Sequence, residues 1–181
     1  MKRLACLLVA AATVAGAVAS LFPRPGHAAE AAASAFVTEI PAGYRDWRLI
    51  SVAHEEGDLH SFAAVLGNDV AIKAYREGTL PFPDGTIIAA LHYRHAASEE
   101  NDKVFGRAQS FVAGPPTNVQ FMVKDSRRYA STGGWGFGHF QDGKHGDEAM
   151  MKSCFPCHAE MSARDLVFTR YAPAPQSAPG P

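Results

Sequence analysis

The sequence is short of three things, and each shortage removes a class of explanation. It has only three cysteines in 181 residues. Cys6 lies in the N-terminal apolar run, while Cys154 and Cys157 share one five-residue motif, so a disulfide scaffold is excluded. There is no excess of either charge: 17 lysines and arginines face 18 acids, a formal net charge of -1. That balance gives no footprint for nucleic acid or an anionic membrane. Beyond the N-terminus, no stretch is apolar enough to span a bilayer. No internal repeat is present either. A composition that is 47% hydrophobic suits one compact domain. A chain of about 150 residues buries roughly 70% of its unfolded surface, so it needs no staple.

The N-terminus has the pattern of an export signal. Lys2 and Arg3 precede an apolar run from Leu4 to about Phe22, and small residues follow at Gly26, Ala28 and Ala29. Cleavage after Ala28 is expected, making 1–28 a signal peptide and the product an exported protein. Removing Lys2, Arg3 and Arg24 with no acid takes the formal charge from -1 to -4. The alternative is an uncleaved anchor, weakened as a spanning segment by its alanines and by Gly16. Residues 29–39 read as a flexible leader and 172–181, rich in Ala, Pro, Ser and Gly, as a disordered tail. The domain is expected over 40–171.

Within it, strand signals dominate. Runs rich in bulky and branched residues occur at 47–52, 61–66, 86–93, 105–112, 118–123 and 135–140. Gly67-Asn68, Pro83-Asp84-Gly85 and Gly114-Pro115-Pro116 separate several of them. Asn68 or Asp69 can cap a helix to about Glu77, and Asp125 a brief one through Ala130. A last helix is expected over 147–163. The predicted fold is α+β and mainly β: an antiparallel sheet with a few short helices, one of them carrying the cysteines near the C-terminus.

Cys154-Phe155-Pro156-Cys157-His158 is C-x-x-C-H, the attachment pattern of haem c. On a helical turn, residues three apart share a face, so both sulfurs can reach the two vinyl groups on one porphyrin edge. The adjoining His158 then projects toward the iron as its proximal ligand. One covalent haem c, held by Cys154, Cys157 and His158, is therefore expected. A thioredoxin-like motif expects a βαβ context. A zinc site needs a fourth ligand and would strain adjacent Cys157 and His158. A plain disulfide is the remaining alternative.

Met161 is too close to His158 to cross the ring, so a sixth ligand would come from upstream. Met122, Met150, Met151, His92, His95 and His139 are the nominal candidates. Met122 reads better as strand core, Met150 and Met151 as packing beneath the motif helix, and His92 and His95 as surface residues near a strand end. An open distal position is the expectation.

Several motifs in order resemble the cytochrome P-460 family. They are Tyr44-Arg45-Asp46-Trp47, Pro83-Asp84-Gly85-Thr86, Val123-Lys124-Asp125-Ser126-Arg127-Arg128-Tyr129 and Gly134-Trp135-Gly136-Phe137. The haem motif extended through Ala159-Glu160, and Asp165-Leu166-Val167-Phe168-Thr169-Arg170-Tyr171, complete the set. The resemblance spans about 40–171. It implies a small, β-rich periplasmic homodimer with five-coordinate haem c. It also implies one of two activities: oxidation of hydroxylamine and nitric oxide, or the gas binding of the related cytochromes c′-beta. Hydroxylamine-oxidising members carry a lysine cross-linked to the porphyrin, which falls at Ala90 here. Their distal glutamate falls at Gln120 and a distal arginine near Ala63. The nearest lysines, Lys73 and Lys103, lie outside that strand. An amide can hydrogen-bond but cannot serve as the carboxylate base. Gln120, Ala90, Phe62 and Phe121 are the candidate distal residues, with Phe82 a further wall or simple core.

Three functions follow as expectations. The first is a haem protein binding nitric oxide or a similar small gaseous or nitrogenous ligand. The second is an oxidoreductase acting on hydroxylamine or nitric oxide. The third is a six-coordinate electron carrier working with a redox partner protein.

Overall fold

The computed structural model describes residues 36–172. The expected signal peptide and all but the first residue of the expected tail lie outside them. Six strands form one sheet in sequence order: β1 Arg48–Glu55, β2 Ser61–Gly67, β3 Ile87–Ala97, β4 Phe111–Lys124, β5 Trp135–Gln141 and β6 Lys144–His145. Every neighbouring pair is antiparallel. The helices are α1 Asp69–Glu77, α2 Glu99–Phe105 and α3 Glu148–Ala159. The fold is α+β and mainly β, as expected.

Local chemistry explains the elements. Along β2, burial alternates residue by residue, because successive side chains of a strand take opposite faces. Asn68 caps α1, its side-chain oxygen accepting from Ala71 N–H at 3.0 Å and Ile87 N–H at 3.1 Å. One side chain thus ends a loop, starts a helix and ties both to β3. Gly78, at φ 64, closes α1 in the left-handed conformation that glycine adopts without strain.

The structure departs from expectation between β3 and β4. Of the strand expected at 105–112 only Phe111 and Val112 are strand; Phe105 ends α2 and 106–110 form a turn. Ser98 caps α2 by accepting from Asn101 N–H, and Glu99, Glu100 and Asp102 fill its first turn, where acids suit the positive end of the helix dipole. Asp102 then accepts from Gln109 and Ser110 N–H, folding the chain back. The strands expected either side of Gly114-Pro115-Pro116 are one strand, β4. Register shifts around Tyr93 accommodate the prolines, which cannot donate to a regular ladder. The helix expected after Asp125 is a turn: its carboxylate accepts from Arg127 and Arg128 N–H, and a 3-10 turn follows at Ala130–Thr132. The last helix ends at Ala159 rather than 163, followed by a 3-10 turn at Ser162–Arg164. The expected leader is ordered where described: Phe36 bridges to Phe137, and Val37 N–H donates to the Phe137 carbonyl at 2.8 Å.

The sheet separates two cores. One gathers Ile50, Val65, Ile72, Ile88, Met122, Trp135, Phe137 and Val167, with Cys154 and Phe155 packed against it. The other holds Ala89, Leu91, Phe121 and Phe140 beneath Tyr44 and Trp47. Gly136 permits one close approach beside the sheet. Ring atoms of Tyr129 lie 2.3, 2.5 and 2.6 Å from where a Cβ would stand. Both Tyr129 and its neighbour Trp135 are fully buried. Gly136→Ala is therefore expected to destabilise the protein by about 3 kcal/mol, at the top of the usual overpacking range. A urea-denaturation difference below about 0.5 kcal/mol would mean that Tyr129 is not held there.

Candidate functional site

Helix α3 starts where Asp147 accepts from Met150 N–H at 2.9 Å. It carries Cys154, half-buried, and Cys157, exposed, both as free thiols. Burial pushes the Cys154 thiol above its ordinary pKa, so it stays protonated near neutrality. His158 follows on the same helix. Its ring sits between Phe137 and Phe168, each centroid 5.0 Å away. Nδ1 lies 2.7 Å from the Leu166 carbonyl oxygen. A carbonyl can only accept, so Nδ1 carries the proton and Nε2 keeps its lone pair. Burial lowers the His158 pKa, partly opposed by the hydrogen bond to Leu166. The result is a neutral, oriented imidazole, the form a metal requires.

The carbonyl that orients His158 is itself braced. Asp165 and Leu166 both have positive φ, 49 and 67, which costs energy in residues with a Cβ. Asp165 is held by Lys124, whose Nζ lies 2.8 and 2.9 Å from its two carboxylate oxygens. Phe82 N–H also donates to Asp165 at 2.9 Å. Lys124 in turn donates to the Gly133 carbonyl and lies 5.0 Å from the Trp135 ring centroid. The pair is buried, with side chains 7% and 13% exposed. Nearby, Asp84 accepts from the Ser126 N–H and hydroxyl. These contacts account for motif residues that have no chemistry of their own.

A cavity of about 390 Å³ lies between α3, the sheet and residues 167–170. Cys154 and His158 line it, with Ala53, Ala63, Val65, Ile88, Ala90 and Met122 from the sheet. Ala90 and Gln120 are direct cross-strand partners, and both reach the cavity. Ala63 faces it too, so the three positions aligned with the family's distal groups do converge.

Other expected residues fall elsewhere. Phe62 does not line the cavity. Its neighbour Ala63 does, and the strand period of two sends Phe62 to the far face, against the rings of His54 and His95. Phe121 borders the cavity, but its ring packs in the second core on Tyr44 and Phe140. Phe82 is core, edge-on to Tyr75 and Trp135. Met151 is buried, Met150 is 44% exposed, and neither lines the cavity. His95 belongs to the far face. His139 lies beside Gln120 in register, its Nδ1 buried without a hydrogen-bond partner.

His92 is a correction: it is not a surface residue but faces the cavity, its side chain 12% exposed. Glu55, absent from the expected site, faces the same space. The run Ser51-Val52-Ala53-His54-Glu55 holds the signal, since every second residue lines the cavity. It was hidden because the first strand was expected to end at Val52.

A model of the cytochrome P-460 family matches residues 41–169. The chain belongs to the cytochrome P-460 family. No curated protein matches it. Membership makes it a haem cytochrome of this type, and the cavity fits a haem. Its walls are largely apolar, Cys154 borders it, and His158 offers a free Nε2. Among the described residues no three His, Cys, Asp or Glu side chains are grouped to hold an ion directly. A single imidazole suffices where a porphyrin supplies the equatorial nitrogens. In this member of the family, His158 would hold the iron, Cys154 and Cys157 would hold the porphyrin edge, and the haem would supply ligand binding and electron transfer.

Proposed function

We propose that the protein is an exported, periplasmic mono-haem cytochrome c whose open distal position binds nitric oxide or a similar small ligand. One covalent haem is attached through Cys154 and Cys157. The observation carrying this reading is the meeting of Ala53, Ala63 and Ala90 in the cavity that His158 lines. Three short side chains leave room where a cross-linking lysine or distal arginine would stand. The protein works as a homodimer, supported by the exposed apolar side chains of Leu49, Val52, Phe111 and Val112 on the sheet.

A second reading, oxidation of hydroxylamine or nitric oxide with electrons passing to a partner protein, is favoured by one observation: a carboxylate and an imidazole, Glu55 and His92, face the cavity. A six-coordinate electron carrier would need His92 or Met122 to reach the iron.

Absorption spectra of the purified protein, with and without nitric oxide, test the reading. The expected ferric spectrum is high-spin, and nitric oxide shifts the Soret band of the ferrous form at stoichiometric concentration. A low-spin ferric spectrum that nitric oxide leaves unchanged contradicts an open distal site.

A further inference from the structure

Ala90 and Gln120 remove both the amine and the carboxylate that the family places on these strands, yet the cavity is not without titratable groups. Glu55 pairs with Ser61 across β1 and β2, and Ala63 pairs with His92 across β2 and β3. This register puts both Glu55 and His92 on the cavity face. His92 Nδ1 lies 3.7 Å from Glu55 Oε2, and the Ser61 hydroxyl donates to the same oxygen at 3.2 Å. The His92 side chain is 12% exposed and that of Glu55 36%. Nδ1 of His92 is thus the ring nitrogen turned toward the Glu55 carboxylate, at ion-pair distance. Nε2 is left for whatever enters the cavity.

We propose that His92, oriented by Glu55, is the proton acceptor for protic ligands entering this cavity. The proposal deepens the functional reading above and rests on it. The step is a plain proton transfer. A ligand H–X gives its proton to the neutral imidazole, X⁻ remains to bind, and the imidazolium formed is balanced by the Glu55 carboxylate. Ligands without a proton to lose, such as nitric oxide and carbon monoxide, bypass it.

The groups facing His92 set the pH range. Glu55 comes from β1, Ser61 from β2, the uncharged Asn118 and Gln120 from β4, His139 from β5, and Arg170 from the C-terminal segment. Burial lowers the His92 pKa most, Glu55 raises it, and His139 lowers it, for a net depression. His92 is thus neutral and able to accept at neutral pH. It loses this ability as pH falls through its own pKa.

Cyanide, which is protonated at neutral pH, is the probe. Its association rate with the ferric holoprotein is measured across pH for the native protein, His92→Gln and Glu55→Gln, with nitric oxide as the aprotic control. His92→Gln keeps a polar side chain of similar reach but no base. It is expected to slow cyanide on the order of a hundredfold, a far larger change than in the rate of nitric oxide binding. Glu55→Gln is expected to move the pH midpoint downward, because the charge that raises the His92 pKa is gone. NMR titration of the His92 ring in the ferrous carbon monoxide complex must show the same shift. Equal cyanide rates in native and His92→Gln proteins overturn the proposal. So does a low-spin ferric native protein that becomes high-spin in His92→Gln, since His92 would then be an iron ligand. A protein with no haem absorption, or one with haem that takes up no nitric oxide, instead overturns the functional reading itself.

Discussion

Asp165→Ala is expected to cost about 3–5 kcal/mol of folding stability, the range for breaking one half of a buried ion pair. The substitution leaves the Lys124 ammonium with only the Gly133 carbonyl and the face of Trp135. It also orphans the Phe82 N–H, and a buried donor without a partner is a further loss. The stabilisation is not Coulombic attraction alone, because removing two charges from water is itself costly. The double variant Lys124→Met, Asp165→Leu replaces the pair with apolar groups and is expected to lose less than Asp165→Ala alone. The two are compared by urea denaturation. An Asp165→Ala protein within about 1 kcal/mol of the native one would mean that Lys124 and Asp165 are not paired as described. The loss also bears on the site, since Asp165 precedes the residue whose carbonyl orients His158.

Replacing Cys154 and Cys157 together by serine is expected to abolish covalent haem retention. A serine hydroxyl lacks the nucleophilic character of a thiolate. The fold should survive, because Cys157 is exposed, Cys154 half-buried, and neither is in a disulfide. Denaturing electrophoresis stained for haem gives the readout, with circular dichroism checking the fold. A double variant that keeps its haem through denaturation would remove the attachment chemistry from these residues.

How much was legible in the sequence depended on how local the cause was. The helix capped by Asn68 and strands β2 and β5 followed from capping chemistry and alternation over a few residues. The strand expected at 105–112 failed because Asp102 folds the chain back through side-chain hydrogen bonds to residues seven and eight positions on, a contact no window of hydrophobicity contains. β4 running through two prolines depended on bulges of its own, where one step from His92 to Tyr93 on β3 faces two steps on β4.

The site divided in the same way. Cys154, Cys157 and His158 are contiguous and readable as a motif. The family resemblance aligned Ala90 and Gln120 with functional positions and a distal arginine near Ala63; the strand register places these three side chains at one cavity. Phe62 was misplaced by one residue of strand phase. Glu55 and His92 come from strands separated by a third, so their meeting is a property of sheet order and not of sequence spacing. The base that Gln120 cannot supply has a candidate in His92, beside the Glu55 carboxylate.

The central claim is that one haem is bound covalently through Cys154 and Cys157 with His158 beneath it. Intact mass of the purified protein under denaturing conditions, after acid extraction of free haem, tests it most directly. The account predicts a single species heavier than the polypeptide by one haem, the added mass mapping to the peptide that contains Cys154–His158. A mass equal to the bare polypeptide, with the haem colour passing into the solvent, would contradict it.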